Sequence, residues 1–202
     1  MTTLKISSQI RYWDQSPTRK ISPRDRHGRT IEVAYFSLVQ FTGLSKHYPL
    51  PLLYSYKTKK LYLPLREKFM SLERGTIYEV GDMTFEGEIP QVQKTVDAPM
   101  FYFVYNMANY YHFIYDTLPY LFSYFNEKKI HPGMKLLVSP PEGQDDLYPF
   151  VWDSFNMLGI TRDDVVFLDS EVMYNHVCVS SSLTHNGLSN CPPHKGVFDI
   201  LN

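Results

Sequence analysis

The chain of 202 residues changes its hydrophobic rhythm near residue 96. Before that point, short segments alternate apolar and polar residues with the period of two that is typical of strands with one wet face. Gly, Pro and charged residues separate these segments, as they separate strands in other proteins. The pattern predicts a β-rich extension over residues 31–96, with strands at 31–40, 60–65, 76–80, 82–87 and 90–96.

The segment before this extension has no comparable pattern. Residues 14–29 read DQSPTRKISPRDRHGR, which combines Ser, Pro and mixed charge without apolar periodicity. Such a segment has no apolar face to bury and is typical of a loop or a flexible stretch. We therefore expect residues 1–30 to be loop-rich.

After residue 96 the apolar runs become longer. The run PMFYFVY at 99–105 predicts a buried strand, and a helical segment follows from residue 108 to about residue 127, with Asn106 as its cap. Pro119 lies inside this segment and cannot donate a helical hydrogen bond. We therefore expect a kink or a break near Leu118.

The remaining residues continue to alternate between strand and helix. Strands are predicted at 134–139, 164–169 and 176–183, and a helix at 147–160. Strands that alternate with helices build a parallel sheet with helices packed on it. The expected fold class is therefore α/β, with the β-rich extension followed by a Rossmann-like lobe over residues 97–202.

Composition and charge exclude some classes of partner. The chain is 44% hydrophobic and 20% charged, which is a globular balance, and its formal net charge of -1 provides no general field for nucleic acid. In addition, no Gly-x-Gly-x-x-Gly or Gly-x-x-x-x-Gly-Lys element follows a predicted strand. We therefore expect no nucleic-acid partner.

Sequence features that report on compartment are few. No window reaches the roughly 18 uninterrupted apolar residues of a membrane span, and the first residues lack the apolar core of a signal peptide. Two cysteines, Cys178 and Cys191, are too few for a disulfide framework, so both are expected to be reduced. These features favour a cytoplasmic protein without a membrane span, or a lumenal or membrane-associated one if the parent protein carries an anchor elsewhere.

Three polar side chains share one face of the helix predicted after strand 99–105. Asn109, His112 and Asp116 lie at positions i, i+3 and i+7. Ligands of parallel sheets bind at the carboxyl ends of strands and the amino ends of the following helices, which is where this helix begins. The spacing therefore predicts a site, with a satisfied His–Asp pair and a capping Asn109 as the alternative interpretation.

Two further side chains belong to the same predicted edge. His185 and Asn186 follow the last predicted strand, so they are candidates for lining the same cleft, although a polar turn ended by Gly187 also explains them. A metal site is not expected, because His112 and Asp116 are only two ligands and no third lies near them in sequence.

The run N-x-x-H-x-x-x-D-x-L-P-x-L at residues 109–121 resembles the signature of glycosyltransferase family 61. That family includes plant arabinosyl- and xylosyltransferases, animal O-linked N-acetylglucosaminyltransferases and bacterial capsular polysaccharide enzymes. The order of elements over about residues 96–193 is also similar. One departure is Tyr120, where the family usually has Arg, so a contact of that arginine with an anion is not carried over.

The resemblance implies the N-terminal lobe of a GT-B glycosyltransferase, with a donor-binding lobe expected after residue 193 or in a partner chain. It implies that a hexosyl or pentosyl group passes, with inversion, from a nucleotide-sugar donor to a glycan hydroxyl, with no cofactor or metal ion held by this chain. His112 and Asp116 would be a coupled catalytic pair in which either is the base, and Asn109, His185 and Asn186 would bind substrate. The alternative is a non-catalytic carbohydrate- or partner-binding module derived from such an enzyme.

Overall fold

A computed structural model describes residues 3–11, 18–22, 30–42, 51–62, 69–70, 77–78, 84–103, 109–141 and 143–181, and the structural statements below concern these residues. The strands are β1 Thr3–Arg11, β2 Thr18–Lys20, β3 Glu32–Phe36, β4 Val39–Phe41, β5 Leu53–Ser55, β6 Lys60–Tyr62, β7 Phe69–Met70, β8 Ile77–Tyr78, β9 Thr84–Pro90, β10 Lys94–Val96, β11 Met100–Phe103, β12 Lys135–Val138, β13 Val165–Phe167, β14 Val172–Tyr174 and β15 Val177–Ser180.

Helices occupy two stretches of the described residues. The first stretch has four consecutive pieces, which are α1 Tyr110–His112, a π turn Phe113–Thr117, a 3-10 turn Leu118–Tyr120 and α2 Leu121–Ile130. The second stretch is α3 Pro149–Met157, and a short 3-10 turn, Arg162–Asp164, precedes β13. The first stretch connects β11 to β12, and α3 connects β12 to β13.

The strands form two large sheets and a small hairpin of β7 and β8. The six-stranded sheet has the order β13-β12-β11-β15-β3-β2, and its first four strands are parallel while β3 and β2 are antiparallel. The seven-stranded sheet has the order β10-β14-β4-β5-β6-β1-β9 and is also mixed. The α/β class predicted from the sequence is therefore confirmed, with sheets of mixed orientation and few helices.

The six-stranded sheet lies between the helices and the seven-stranded sheet, and its side chains alternate between the two. The helix-facing core contains, among others, Phe101, Phe103, Leu136, Val138 and Cys178 from strands and Phe113, Leu121, Tyr124, Val151 and Phe155 from the helical stretches. The sheet-facing core contains Met100, Tyr102, Leu137, Val177 and Val179 together with Val39, Phe41, Leu53 and Tyr174. A doubly wound sheet has helices on both faces, whereas here a second sheet covers one face.

Three strands pass from one sheet into the other at a shared corner, where β3 leads into β4, β10 into β11 and β14 into β15. Asn175 lies at this corner: its amide donates to the carbonyl of Val96 at 2.9 Å, its carbonyl accepts from the amide of Leu38 at 3.3 Å, and its side chain donates to the Asp97 carboxylate. Leu38 has φ 53°, in the left-handed region. The strand predicted over 31–40 is therefore two strands that belong to different sheets.

Residues 1–30 contain more strand than their composition predicts. β1 pairs antiparallel with β9 from Thr3 opposite Pro90 to Gln9 opposite Thr84. β2 lies within the loop expected over 14–29 and pairs with β3 at the edge of the six-stranded sheet. The difference arises because β2 is stabilised by partners distant in sequence, which local composition does not reveal.

The sheets also cross the boundary predicted at residue 96. β3, from the predicted extension, pairs with β15, and β14, from the predicted lobe, pairs with β4 and β10. The predicted extension and the predicted lobe therefore both contribute strands to both sheets. At the corner near Asn175, the chain passes between the sheets from β3 to β4, from β10 to β11 and from β14 to β15.

A buried carboxylate anchors β2 to the helices. The Glu127 side chain on α2 is fully buried and pairs with the guanidinium of Arg19 on β2, whose side chain is 40% exposed. Tyr35 on β3 donates its hydroxyl to Glu127 at 2.5 Å and accepts from Arg19 Nε at 3.1 Å. Burial and the bond to Glu127 raise the pKa of Tyr35 to about 12. A buried carboxylate needs such partners, so this cluster stabilises the fold.

The last turn of α2 carries a second ion pair, next to Glu127. Lys128 Nζ donates to Asp164 Oδ1 at 2.5 Å and to the Tyr124 hydroxyl at 2.8 Å. The other carboxylate oxygen of Asp164 accepts from the amide and the hydroxyl of Thr161 in a capping box, as expected for a helix-cap residue. The hydrogen bond from Lys128 is the main cause that lowers the pKa of Asp164 to about 2.

We expect this ion pair to make stability sensitive to acid. Because the pKa of Asp164 falls from 3.8 to about 2 on folding, its stabilisation is present above the higher value and is lost as the pH falls through the lower one. Between about pH 5 and pH 2, the free energy of unfolding of the wild type should therefore fall by roughly 1–2 kcal/mol more than that of Lys128→Met. Urea unfolding followed by circular dichroism measures this difference.

The control is Lys129→Met, because Lys129 is exposed on the same helix. This variant should keep the acid sensitivity of the wild type. Equal acid sensitivity in Lys128→Met and the wild type would contradict the assignment.

Candidate active site

Two helix starts meet at the carboxyl edge of the parallel strands. The first helical stretch follows β11, α3 follows β12, and the rings of Tyr110 and Phe150 lie 5.3 Å apart near the two starts. Asn109 precedes the first stretch with extended backbone, and its Oδ1 accepts from the amides of Tyr111 at 2.9 Å and His112 at 3.4 Å. Asn109 is therefore the helix cap, the role predicted for Asn106, which lies outside the described residues.

The helix departs from α geometry directly after His112. The amide of Leu118 donates to the carbonyl of Phe113, five residues back, and the amide of Leu121 then donates to Leu118 in a 3-10 turn. Pro119 lies inside the 3-10 turn and has no amide hydrogen to continue an α-helical ladder. The irregularity predicted near Leu118 is therefore confirmed, and it extends back to Phe113. Single π turns of this kind are frequent at functional sites.

His112 and Asp116 form a pair across this irregular turn. His112 Nδ1 lies 2.6 Å from Asp116 Oδ2, and the two side chains are 43% and 10% exposed. Because an ionised carboxylate only accepts hydrogen bonds, this contact favours the neutral tautomer of His112 that has the proton on Nδ1 and the lone pair on Nε2. The buried carboxylate thus orients a ring that reaches solvent, which is how a positioned general base is built.

The other predicted site residues are Asn109, His185 and Asn186, and the structure describes only the first of them. Asn109 lies one turn before the pair, but its Oδ1 is occupied by backbone amides, so only its Nδ2 group could contact a substrate. His185 and Asn186 lie outside the described residues, and their placement in the cleft stays a prediction. The structure therefore brings together His112 and Asp116 and places Asn109 at the helix start.

A group of exposed tyrosines surrounds the pair and was missed in the sequence. Tyr110, Tyr111 and Tyr115 are 60%, 59% and 46% exposed, and the rings of Tyr111 and Tyr115 lie 4.6 Å apart. The 16 tyrosines of the chain favour a carbohydrate-binding module in general, but their number does not indicate which of them are exposed. A usable signal exists for two of them, because Tyr111 and Tyr115 are four residues apart on the side of the helix away from the buried Phe113, whereas Tyr110 shares the face of Phe113.

The two segments that build this edge contain no cationic side chain. The sequence has no Lys or Arg between Lys94 and Lys128 or between Lys135 and Arg162. Asp116 contributes a carboxylate to the first segment. A phosphate would therefore find no Lys or Arg from these segments, whereas an uncharged ligand needs none.

A shallow depression of about 520 Å³ lies along α3 and is a weaker candidate for a site. Asp146 on its rim accepts from Trp152 Nε1 at 2.9 Å and from Arg162 at 2.8 Å, and the Arg162 guanidinium lies 4.3 Å from the Trp152 ring centroid. The bond from Arg162 is the main cause that lowers the pKa of Asp146 to about 2. These polar groups are hydrogen-bonded to one another, so we infer that the cluster stabilises the loop before α3.

The remaining findings concern metals, membranes and related proteins. Among the described residues, no group of three or more His, Cys, Asp or Glu side chains could hold a metal ion. None of the helices in the described ranges has the length and apolar character needed to cross a membrane.

The chain matches no protein-family model, no curated protein and no solved structure.

We expect His112 to hold the neutral tautomer with the proton on Nδ1, because Asp116 accepts that proton in a hydrogen bond. Long-range ¹⁵N–¹H correlation spectra of protein labelled on histidine should show this tautomer once the ring is neutral. Asp116→Asn removes the carboxylate and should shift His112 toward the Nε2–H form. The exposed His131 serves as an internal reference, and an unchanged His112 spectrum in Asp116→Asn would contradict the pairing.

Proposed function

We propose that this chain is the acceptor-side lobe of an inverting glycosyltransferase that transfers a hexosyl or pentosyl group from a nucleotide sugar to a glycan hydroxyl. The observation that carries the proposal is the 2.6 Å contact between His112 and Asp116 at the start of the helix after β11. The resemblance of residues 109–121 to glycosyltransferase family 61 supports this reaction class. The parallel order β13-β12-β11-β15 supports a Rossmann-like lobe. The chain proceeds from β11 to β12 and β13 on one side of β11, and the later strand β15 pairs with β11 on its other side, as at the switch point of a doubly wound sheet.

In the proposed reaction His112 is the base and Asp116 is the residue that positions it. Nε2 of His112 removes the proton from the acceptor hydroxyl as its oxygen attacks the anomeric carbon of the donor. The new glycosidic C–O bond forms while the C–O bond to the nucleotide breaks, and the nucleotide leaves with the bonding electrons. Asp116 stabilises the resulting imidazolium through Nδ1–H. This assignment follows from exposure, because the imidazole is 43% exposed and the carboxylate only 10%.

The donor would be bound elsewhere. Its diphosphate requires cations or backbone amides, and the segments that form the His112 edge carry no Lys or Arg. A second lobe of the parent protein or a partner chain would supply the donor site. His185 and Asn186 remain predicted acceptor contacts. Transfer would take place in the cytoplasm, or in a lumen or at a membrane if the parent protein carries an anchor elsewhere.

A second candidate is a carbohydrate-binding module without catalysis. The exposed rings of Tyr110, Tyr111 and Tyr115 favour it, because stacking on aromatic rings requires no base and no donor. This candidate predicts saccharide binding without turnover.

Kinetics of the full-length protein test the proposed function. His112→Ala removes the base and Asp116→Asn removes the group that orients it, so each should lower kcat by roughly 10²–10⁴. The assay measures transfer of labelled sugar from a panel of nucleotide sugars to oligosaccharide acceptors. His131→Ala is the control, because His131 is exposed at the end of α2 and should keep wild-type turnover.

The outcomes separate the two candidates. Turnover within a few-fold of wild type in both His112→Ala and Asp116→Asn would exclude a catalytic pair. Saccharide binding without transfer by any donor in the panel would favour the binding module.

A further inference from the structure

We propose that Tyr110, Tyr111 and Tyr115 form a stacking subsite for an uncharged saccharide ring, named here the tyrosine subsite. The inference rests on the proposed function and adds the surface that binds its acceptor, with a sugar ring as the occupant rather than the serine or threonine side chain of an unglycosylated peptide. The subsite adjoins the base, because the rings of Tyr111 and His112 lie 5.7 Å apart.

The first observation is where the exposed rings lie. Large apolar or aromatic side chains that are exposed elsewhere in the described ranges occur singly, at Leu4, Leu38, Ile130 and Met157. The three tyrosines instead lie within six consecutive residues on either side of His112. Single exposed side chains are ordinary, but a cluster of exposed rings indicates a binding surface.

The second observation is that the rings are held before any ligand arrives. Tyr111 and Tyr115 lie one helical turn apart with ring centroids 4.6 Å apart and planes 36° apart. Tyr110 packs edge-on against Phe150 of α3 at 5.3 Å. Rings that are already ordered lose little conformational entropy on binding, so a stacked ligand keeps more of its interaction free energy.

The third observation is the charge of the edge, which selects the occupant. Residues 95–127 and 136–161 contain no Lys or Arg, so these two segments offer no such partner to the phosphates of a nucleotide or nucleic acid, and Asp116 would repel them. A neutral sugar has no such requirement. Its C–H face stacks on a phenol ring, and its hydroxyls can bond to the phenol oxygens and to His112.

The test uses the full-length protein and three uncharged disaccharides, xylobiose, mannobiose and N,N′-diacetylchitobiose, in calorimetric and NMR titrations. At least one disaccharide should bind. Tyr111→Leu and Tyr115→Leu remove a ring and should each weaken binding by about tenfold. Tyr111→Phe and Tyr115→Phe restore the ring without the hydroxyl and should recover most of the affinity that the leucine variants lose.

Several outcomes would overturn the inference. These are binding of none of the three disaccharides, leucine variants that bind like the wild type, and phenylalanine variants that bind as weakly as the leucine variants. Sedimentation that finds a dimer dissociated by Tyr111→Leu would assign the rings to a second copy of the chain.

Transfer assays separate this inference from the proposed function. Transfer to the peptide acetyl-Gly-Thr-Gly-amide at a rate unchanged by Tyr115→Leu would overturn the tyrosine subsite and leave glycosyl transfer standing. Ring-dependent disaccharide binding without any transfer would support the subsite and overturn the proposed function.

Discussion

The corner at Asn175 is the constraint on which the rest of the structure depends. The amide of Asn175 donates to the carbonyl of Val96, and its carbonyl accepts from the amide of Leu38. These two bonds connect the three places where the chain passes from one sheet to the other. This bend gives β11 one face for the helices and one face for the second sheet. It also places β15 parallel to β11. The helical stretch after β11 therefore starts at the carboxyl ends of the parallel strands.

A second constraint shapes the site itself. Pro119 cannot donate the hydrogen bond that an α-helix requires, and the chain adopts a π turn before it and a 3-10 turn around it. Across this turn Asp116 is buried while His112 reaches solvent, although the two residues are only four apart. The carboxylate is packed and the imidazole is accessible, and this difference in exposure is the basis for the separate roles that we propose for them in proton transfer.

Much of the fold after residue 96 could be predicted because its signals are local. The apolar runs at 99–105, 134–139, 164–169 and 176–183 contain β11, β12, β13 and β15, and the helix predicted at 147–160 contains α3. Features that depend on distant partners were not predictable. β2 is a strand because Arg19 reaches Glu127, 108 residues away, and the break at Leu38 depends on a bond to Asn175.

The same distinction holds at the site. The spacing of His112 and Asp116 was enough to predict their contact, since residues four apart on a helix are neighbours. The exposure of Tyr110, Tyr111 and Tyr115 was not, because it depends on which face of the helix packs against the strands. The cap at Asn109 was one of two roles that its position allowed, and the bonds to the backbone of Tyr111 and His112 favour that role.

The central claim is that His112 accepts a proton from a sugar hydroxyl. The most direct measurement is a crystal structure of the protein with a bound acceptor saccharide. We expect a hydroxyl oxygen of that saccharide within about 2.6–3.2 Å of His112 Nε2, with the Asp116 contact to Nδ1 retained. A saccharide bound at this edge with no hydroxyl in reach of Nε2, or bound only at a different surface, would contradict the claim.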